Sequence, residues 1–181
     1  MSRLAIIVAV LLAVAAVLSA VPGASGERAT TSFHATVAYV VDGDTLRIEE
    51  AGGELAYVRL VGIDTPEDVR PGYPTECGSK AAARSMVALA PEGAPVTLRY
   101  DSVADHADRY GRILAHAFIG GRQLELAQLR RGLAYVYRYD DQRFDGLPRF
   151  EAAAAAARSA DRGVWGSCGG DFHSAEGGIQ N

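Results

Sequence analysis

A chain of 181 residues, 49% apolar and 22% charged, has the size and composition of one packed globular domain and is too short for two ordinary ones. Its net charge of −4 excludes a bulk cationic field as the means of holding a polyanion, so any such ligand must be gripped by a local cluster. The basic residues are nearly all arginine, with Lys80 the sole lysine, and arginine suits bidentate phosphate contacts better than lysine does.

The chain opens on Arg3, an uncharged run from Leu4 to Leu18, and a small-residue stretch through Gly26. This order predicts a secretory signal peptide over residues 1–26, cut after Ala20, Ala24 or Gly26. A membrane anchor that is never cut is the alternative, although the run is short of the roughly 20 residues a span requires. Loss of the segment removes Arg3 and takes the net charge from −4 to −5. Residues 27–33 read as a polar leader.

From His34 the pattern is β. Thr36 to Val41 is β-branched and aromatic, Asp42-Gly43-Asp44 is a turn, and Thr45 to Ile48 alternates. Ala51-Gly52-Gly53 turns again into Tyr57 to Val61, so residues 34–61 read as a meander. Pro66 stops the ladder, and a loop runs to about Gly78. Ser79 to Ala90 is a predicted helix, Val96 to Tyr100 a fourth strand, and Arg112 to Phe118 a fifth. Gln123 to Arg131 is a short helix closed by Gly132. Arg149 to Ser159 is a third helix containing six consecutive alanines, and Trp165 is placed to pack its end. The glycine-rich stretch 167–181 reads as a flexible tail. The order suits an α+β barrel capped by helices, although periodicity alone leaves other α+β arrangements open.

Cys77 and Cys168 are the only cysteines. Export would place them in an oxidising compartment, where they are expected to pair, closing a loop worth roughly 4–5 kcal/mol on the chain-entropy account. Without neighbouring histidines they form no zinc site. His34, His106, His116 and His173 lack metal-ligand spacing and read as structural or solvent-exposed.

Three polar clusters carry candidate chemistry. They are Asp42-Gly43-Asp44-Thr45, Arg59 with Asp64-Thr65-Pro66-Glu67, and Asp108-Arg109-Tyr110-Gly111-Arg112. Each alone is ordinary turn chemistry. Together, two aspartates at strand ends can share one hard cation, a third carboxylate can take a proton from water, and two arginines can grip one phosphate. That division of labour fits phosphodiester hydrolysis, whose transition state gathers negative charge on oxygen.

Five ordered motifs, VVDGDTL, RLVGIDTPE, DRYGRILA, RRGLAYVY and a late GVW, spread over residues 34–166, resemble the staphylococcal nuclease (thermonuclease-like) family. The resemblance implies a five-stranded oligonucleotide-binding-type barrel (OB-fold) with three helices, and a calcium-dependent endonuclease acting on DNA and/or RNA, single strands included. The signal peptide adds secretion with no stable membrane association after cleavage, and the chain is expected to be a monomer. The resemblance makes Asp44 and Asp64 the carboxylate calcium ligands and Thr65 the backbone-carbonyl ligand. It makes Glu67 the general base, Arg59 and Arg112 the phosphate-gripping arginines, and Asp42 an acidic neighbour of the metal. Arg109 and Tyr110 fall beside the bound nucleotide. Of Tyr135, Tyr137 and Tyr139, which offer more than one register, Tyr137 is the chosen base-flanking residue. The alternative function is an inactive barrel that binds nucleic acid or protein.

Overall fold

The computed structural model describes residues 31–68, 72 and 74–175. The expected signal peptide and most of the leader lie outside them. The elements in chain order are β1 (Ser32–Val40), β2 (Thr45–Glu50), β3 (Leu55–Leu60), β4 (Ile63–Asp64), α1 (Ser79–Leu89), β5 (Pro95–Arg99), β6 (Ile113–Ile119), β7 (Arg122–Gln123), α2 (Leu124–Arg131), β8 (Tyr135–Val136), a 3-10 turn (Tyr139–Asp141), α3 (Leu147–Ser159) and α4 (Val164–Ser167).

Alternation decides the barrel. Val37, Leu46, Ile48, Val58, Leu60, Val96, Leu98, Ala115 and Ala117 are all buried, and successive strand residues point to opposite faces. Each of the valines, leucines and the isoleucine contributes roughly 1.5–3 kcal/mol when fully buried. β1 pairs antiparallel with β2 and with β5, β2 with β3, and β5 with β6. Parallel pairing of β3 with β6 then closes five strands into the expected barrel of an α+β fold. A bulge between Val37 and Tyr39 bends β1.

The helices cap one side. Leu124, Leu126 and Leu129 of α2 are buried, and α2 packs on α3 through Phe150 and the alanines Ala153 and Ala157. Gly132 closes α2 at φ 69°, where a Cβ would lie 2.1 Å from the Arg162 carbonyl oxygen. Only glycine serves both the left-handed conformation and that close approach.

Three expectations need correction. β1 begins at Ser32, so the end of the supposed leader is strand. Its Ser32 and Phe33 pair with Arg99 and Leu98. α4 adds a fourth, four-residue helix. The tail is packed rather than flexible through Ala175: Cys168 is bonded to Cys77, Phe172 is buried against Trp165 and Tyr135, and Ala175 bridges Glu76. One disulfide and one aromatic anchor outweigh the glycines there. Residues 176–181 lie outside the described part.

Candidate active site

The turn between β1 and β2 brings Asp44 inward. Asp42 Oδ1 accepts the Asp44 N–H at 3.0 Å, an Asx turn that local sequence dictates. Gly43 is required because a Cβ there would meet Thr65 Oγ1 at 2.6 Å and the Ala82 Cβ at 2.8 Å. Buried Gln128 of α2 donates to the Gly43 and Ala82 carbonyls, each at 2.9 Å, and so ties the turn to two helices.

Asp44 is buried and fully engaged. Its Oδ2 accepts the Thr65 N–H and hydroxyl at 2.9 and 3.0 Å. Its Oδ1 accepts the Thr45 hydroxyl and lies 3.2 Å from Arg59 Nη1. Arg59 spans both aspartates: Nη2 bonds Asp64 Oδ1, while Nη1 donates to the Ile63 carbonyl at 2.9 Å. Burial raises the Asp44 pKa to about 8, with Asp42 and Asp64 adding to the rise and Arg59 opposing it. Burial works against the Arg59 charge, but Asp44 and then Asp64 outweigh it and raise its pKa. Glu67 is raised too, first by burial and then by Asp42 and Asp64, the direction a base needs to operate nearer neutral pH.

Pairing of β4 with β8 sets Asp64 opposite Tyr135, whose hydroxyl donates to Asp64 Oδ2 at 2.7 Å. The packed strap closes this wall from behind. His173 Nε2 lies 3.2 Å from the Tyr135 hydroxyl, and its Nδ1 lies 3.0 Å from Glu76 Oε1. Glu76 Oε2 in turn accepts the Glu67 N–H at 2.7 Å. Glu76, Tyr135 and His173 therefore brace Asp64 and Glu67. The sequence carries no motif for Glu76 or His173, and Tyr135 is distinguished from Tyr137 only by its pairing with Asp64.

The opposite wall is the 108–112 turn. Asp108 Oδ1 accepts the Tyr110 and Arg112 N–H groups at 2.9 and 3.0 Å, and Oδ2 accepts Arg112 Nε at 2.7 Å. Some burial disfavours the Asp108 charge, but the Arg112 bond outweighs it and lowers its pKa. Arg109 Nη2 donates to the Tyr110 hydroxyl at 2.7 Å, and Tyr110 is 69% exposed.

Between the walls lies an open cleft of about 560 Å³, lined by Arg59, Asp64, Glu67, Arg109, Tyr110, Arg112, Tyr137 and Tyr139 among others. Asp44 and Thr65 reach it only through Arg59 and Asp64, and Tyr135 belongs to the bracing wall. No group of three or more His, Cys, Asp or Glu side chains fit to hold a metal occurs among the described residues. The donor set is two carboxylates with the Thr65 backbone. Its hard oxygen donors suit a cation of the calcium type.

The wall-to-wall placement of these motifs agrees with comparison to known proteins. Residues 57–167 match the family described as Staphylococcal nuclease homologue. The thermonuclease of Staphylococcus intermedius is 37% identical over 95 residues, covering 52% of this chain and 54% of that protein. The thermonuclease of Staphylococcus hyicus is 30% identical over 126 residues, covering 70% and 72%. The endonuclease YncB of Bacillus subtilis is 28% identical over 137 residues, covering 74% and 62%. The chain thus spans about half the length of the first of these relatives and about seven-tenths of the second. With its barrel, its helices and this match, the chain belongs to the staphylococcal nuclease homologue family.

Proposed function

We propose that the protein is a nuclease that hydrolyses phosphodiester bonds of DNA or RNA in this cleft, with calcium held by Asp44, Asp64 and the Thr65 carbonyl. The observation that carries the reading is the convergence of Arg59, Glu67 and Arg112, from three separate segments, on one cleft. A bound calcium supplies positive charge to a phosphate oxygen as negative charge builds there.

The protein's own groups do the rest. Glu67, its pKa raised, takes a proton from the attacking water as the new P–O bond forms. Arg59 and Arg112 bind the phosphate oxygens and stabilise their charge in the transition state. The bond to the 5′ oxygen breaks, that oxygen takes a proton from solvent, and a 3′-phosphate end remains. Arg109, Tyr110 and Tyr137 flank the nucleotide. Asp108 holds Arg112 at Nε, so binding this phosphate costs less ordering of a long side chain. Export through the apolar N-terminal segment accords with the disulfide.

The test is cleavage of single-stranded DNA by the wild-type chain and by Glu67→Ala, in millimolar calcium and in excess chelator. Calcium-dependent cleavage that falls steeply in the variant is the expected result. Cleavage that survives Glu67→Ala would move the base elsewhere, and no cleavage by folded, calcium-loaded protein would return the barrel to a binding role.

A further inference from the structure

The outer face of the barrel beside the cleft carries a row of residues that the chemistry above does not use. Tyr39 of β1 pairs with Arg47 of β2, and Arg47 pairs with Tyr57 of β3. The three stand in one line across three strands. The alternation that buries Val58 and Leu60 turns Tyr57 and Arg59 outward together. Tyr39 is 47% exposed and Tyr57 42%.

Arg47 Cζ lies 4.0 Å from the centre of the Tyr57 ring, a cation–π contact that sets a positive charge over one face of the ring. On the far side of β3 the parallel register pairs Val58 with Ile113. Along β3 itself, Tyr57 shares its outward face with Arg59, which lines the cleft. The line therefore reads Tyr39, Arg47, Tyr57, Arg59, with aromatic and cationic residues alternating until it reaches an arginine of the cleft. Single exposed aromatics are common, but two of them interleaved with arginines and continuous with a phosphate site are what a single strand requires: faces for bases and cations for the linking phosphates. The far limit is also built in. The next outward pair, Glu49 with Leu55, puts a carboxylate on the same face, and this would repel a phosphate beyond Arg47.

We propose that Tyr39, Arg47 and Tyr57 form an accessory subsite that stacks bases of a single-stranded nucleic acid whose scissile phosphate sits at Arg59 and Arg112. The subsite rests on the nuclease reading of the cleft. It also explains how an acidic chain can hold an extended polyanion: the contact is a local line of two arginines and two aromatic faces rather than a charged field.

The experiment is fluorescence anisotropy of a labelled single-stranded DNA of roughly twelve nucleotides, a length within the usual span of such grooves. It is run in chelator, where hydrolysis is off, with wild type, Tyr39→Ala/Tyr57→Ala and Tyr57→Phe. Loss of one stacked base is commonly worth roughly 5- to 150-fold in affinity. The double variant is therefore expected to bind the long strand at least about tenfold more weakly, while Tyr57→Phe keeps most of the affinity. Binding of a dinucleotide is expected to stay the same in all three. Equal affinity of wild type and double variant for the long strand would overturn the proposal, as would equal loss on the dinucleotide or no wild-type binding at all. A tyrosine-dependent dimer in light scattering would assign the row to a second copy of the chain and overturn it too. Calcium-dependent cleavage of the dinucleotide reports on the nuclease reading separately. A chain that cleaves but ignores both tyrosines keeps that reading and loses the subsite; a chain that binds through them without cleaving does the reverse.

Discussion

The two walls of the cleft are held in place by different means. The wall bearing Asp44, Asp64 and Glu67 is braced from behind by a strap: the Cys77–Cys168 disulfide, Phe172, and the chain of contacts from Glu76 through His173 and Tyr135 to Asp64. The wall bearing Arg109, Tyr110 and Arg112 is exposed and ties mainly to itself through Asp108. Its anchor is deeper and more distant. Asp101 Oδ1, at the root of the loop, accepts the Val103 and Ala104 N–H groups at 2.8 and 2.9 Å, while Oδ2 lies 3.0 Å from His116 Nε2. His116 is buried, with Nδ1 2.8 Å from Glu125 Oε1. One wall is pinned covalently and the other by a buried charge cluster, so different perturbations should loosen each.

The largest expected effect is on the buried anchor. His116→Ala leaves Asp101 and Glu125 facing each other without a cation and is expected to cost about 3–5 kcal/mol in urea unfolding. A loss under about 1 kcal/mol would show that the cluster anchors nothing. Its pH dependence has a definite sign. Burial disfavours the His116 charge, but the bonds to Asp101 and Glu125 prevail and raise its pKa to about 9. That stabilisation is complete below the ordinary histidine pKa of about 6.5 and fades as pH climbs to about 9. Burial likewise opposes the Asp101 charge, but His116 and three backbone N–H groups lower its pKa. Its share is present above the ordinary aspartate pKa of about 3.9 and is lost in stronger acid. Melting temperature should fall between about pH 6.5 and 9 in the wild type, and that fall should be shallower in His116→Gln, where the loss caused by the Asp44 carboxyl, with its pKa of about 8, remains.

Next is the pinned wall's guanidinium. Arg59→Ala is expected to lower kcat by about 10²- to 10³-fold with a smaller change in KM, because the proposed phosphate contact would matter most in the transition state. An unchanged kcat would remove Arg59 from the reaction. Breaking the strap should come third. Cys77→Ser/Cys168→Ser is expected to cost about 2–4 kcal/mol of stability, and its residual folded protein should bind calcium more weakly, since Asp64 loses the Tyr135–His173 brace. Calorimetric titration with calcium checks this, and unchanged affinity would limit the strap to stability. The smallest effect belongs to the exposed wall. Tyr110→Ala removes one exposed ring and should raise KM by an amount worth about 1–3 kcal/mol or less, leaving kcat nearly intact.

The same contrast explains what the sequence disclosed. The barrel was legible because its strands alternate over buried Leu46, Ile48, Val58 and Leu60. The cleft was legible because Arg59, Asp64, Glu67 and Arg112, which line it, lie in compact motifs at or beside strand ends, where local chemistry writes the conformation. The braces were not. His116 reaches Asp101 and Glu125, and His173 reaches Glu76 across 97 positions; such pairings exist only after folding and leave no local pattern. The strap looked loose for the same reason, since Gly169 and Gly170 are visible in the sequence while the pocket that takes Phe172 is not. Tyr135 shows the limit from the other side: only the pairing of β4 with β8 separates it from Tyr137, which lines the cleft.

The central claim is that two independently anchored walls close on one phosphate. A double-mutant cycle of Arg59→Ala and Arg112→Ala in kcat/KM tests it most directly. Shared contact with one phosphate predicts that each single variant loses about 10²- to 10³-fold and that the double variant loses clearly less than the product of the two. Losses that multiply without coupling, or wild-type kcat/KM in either single variant, would contradict the account.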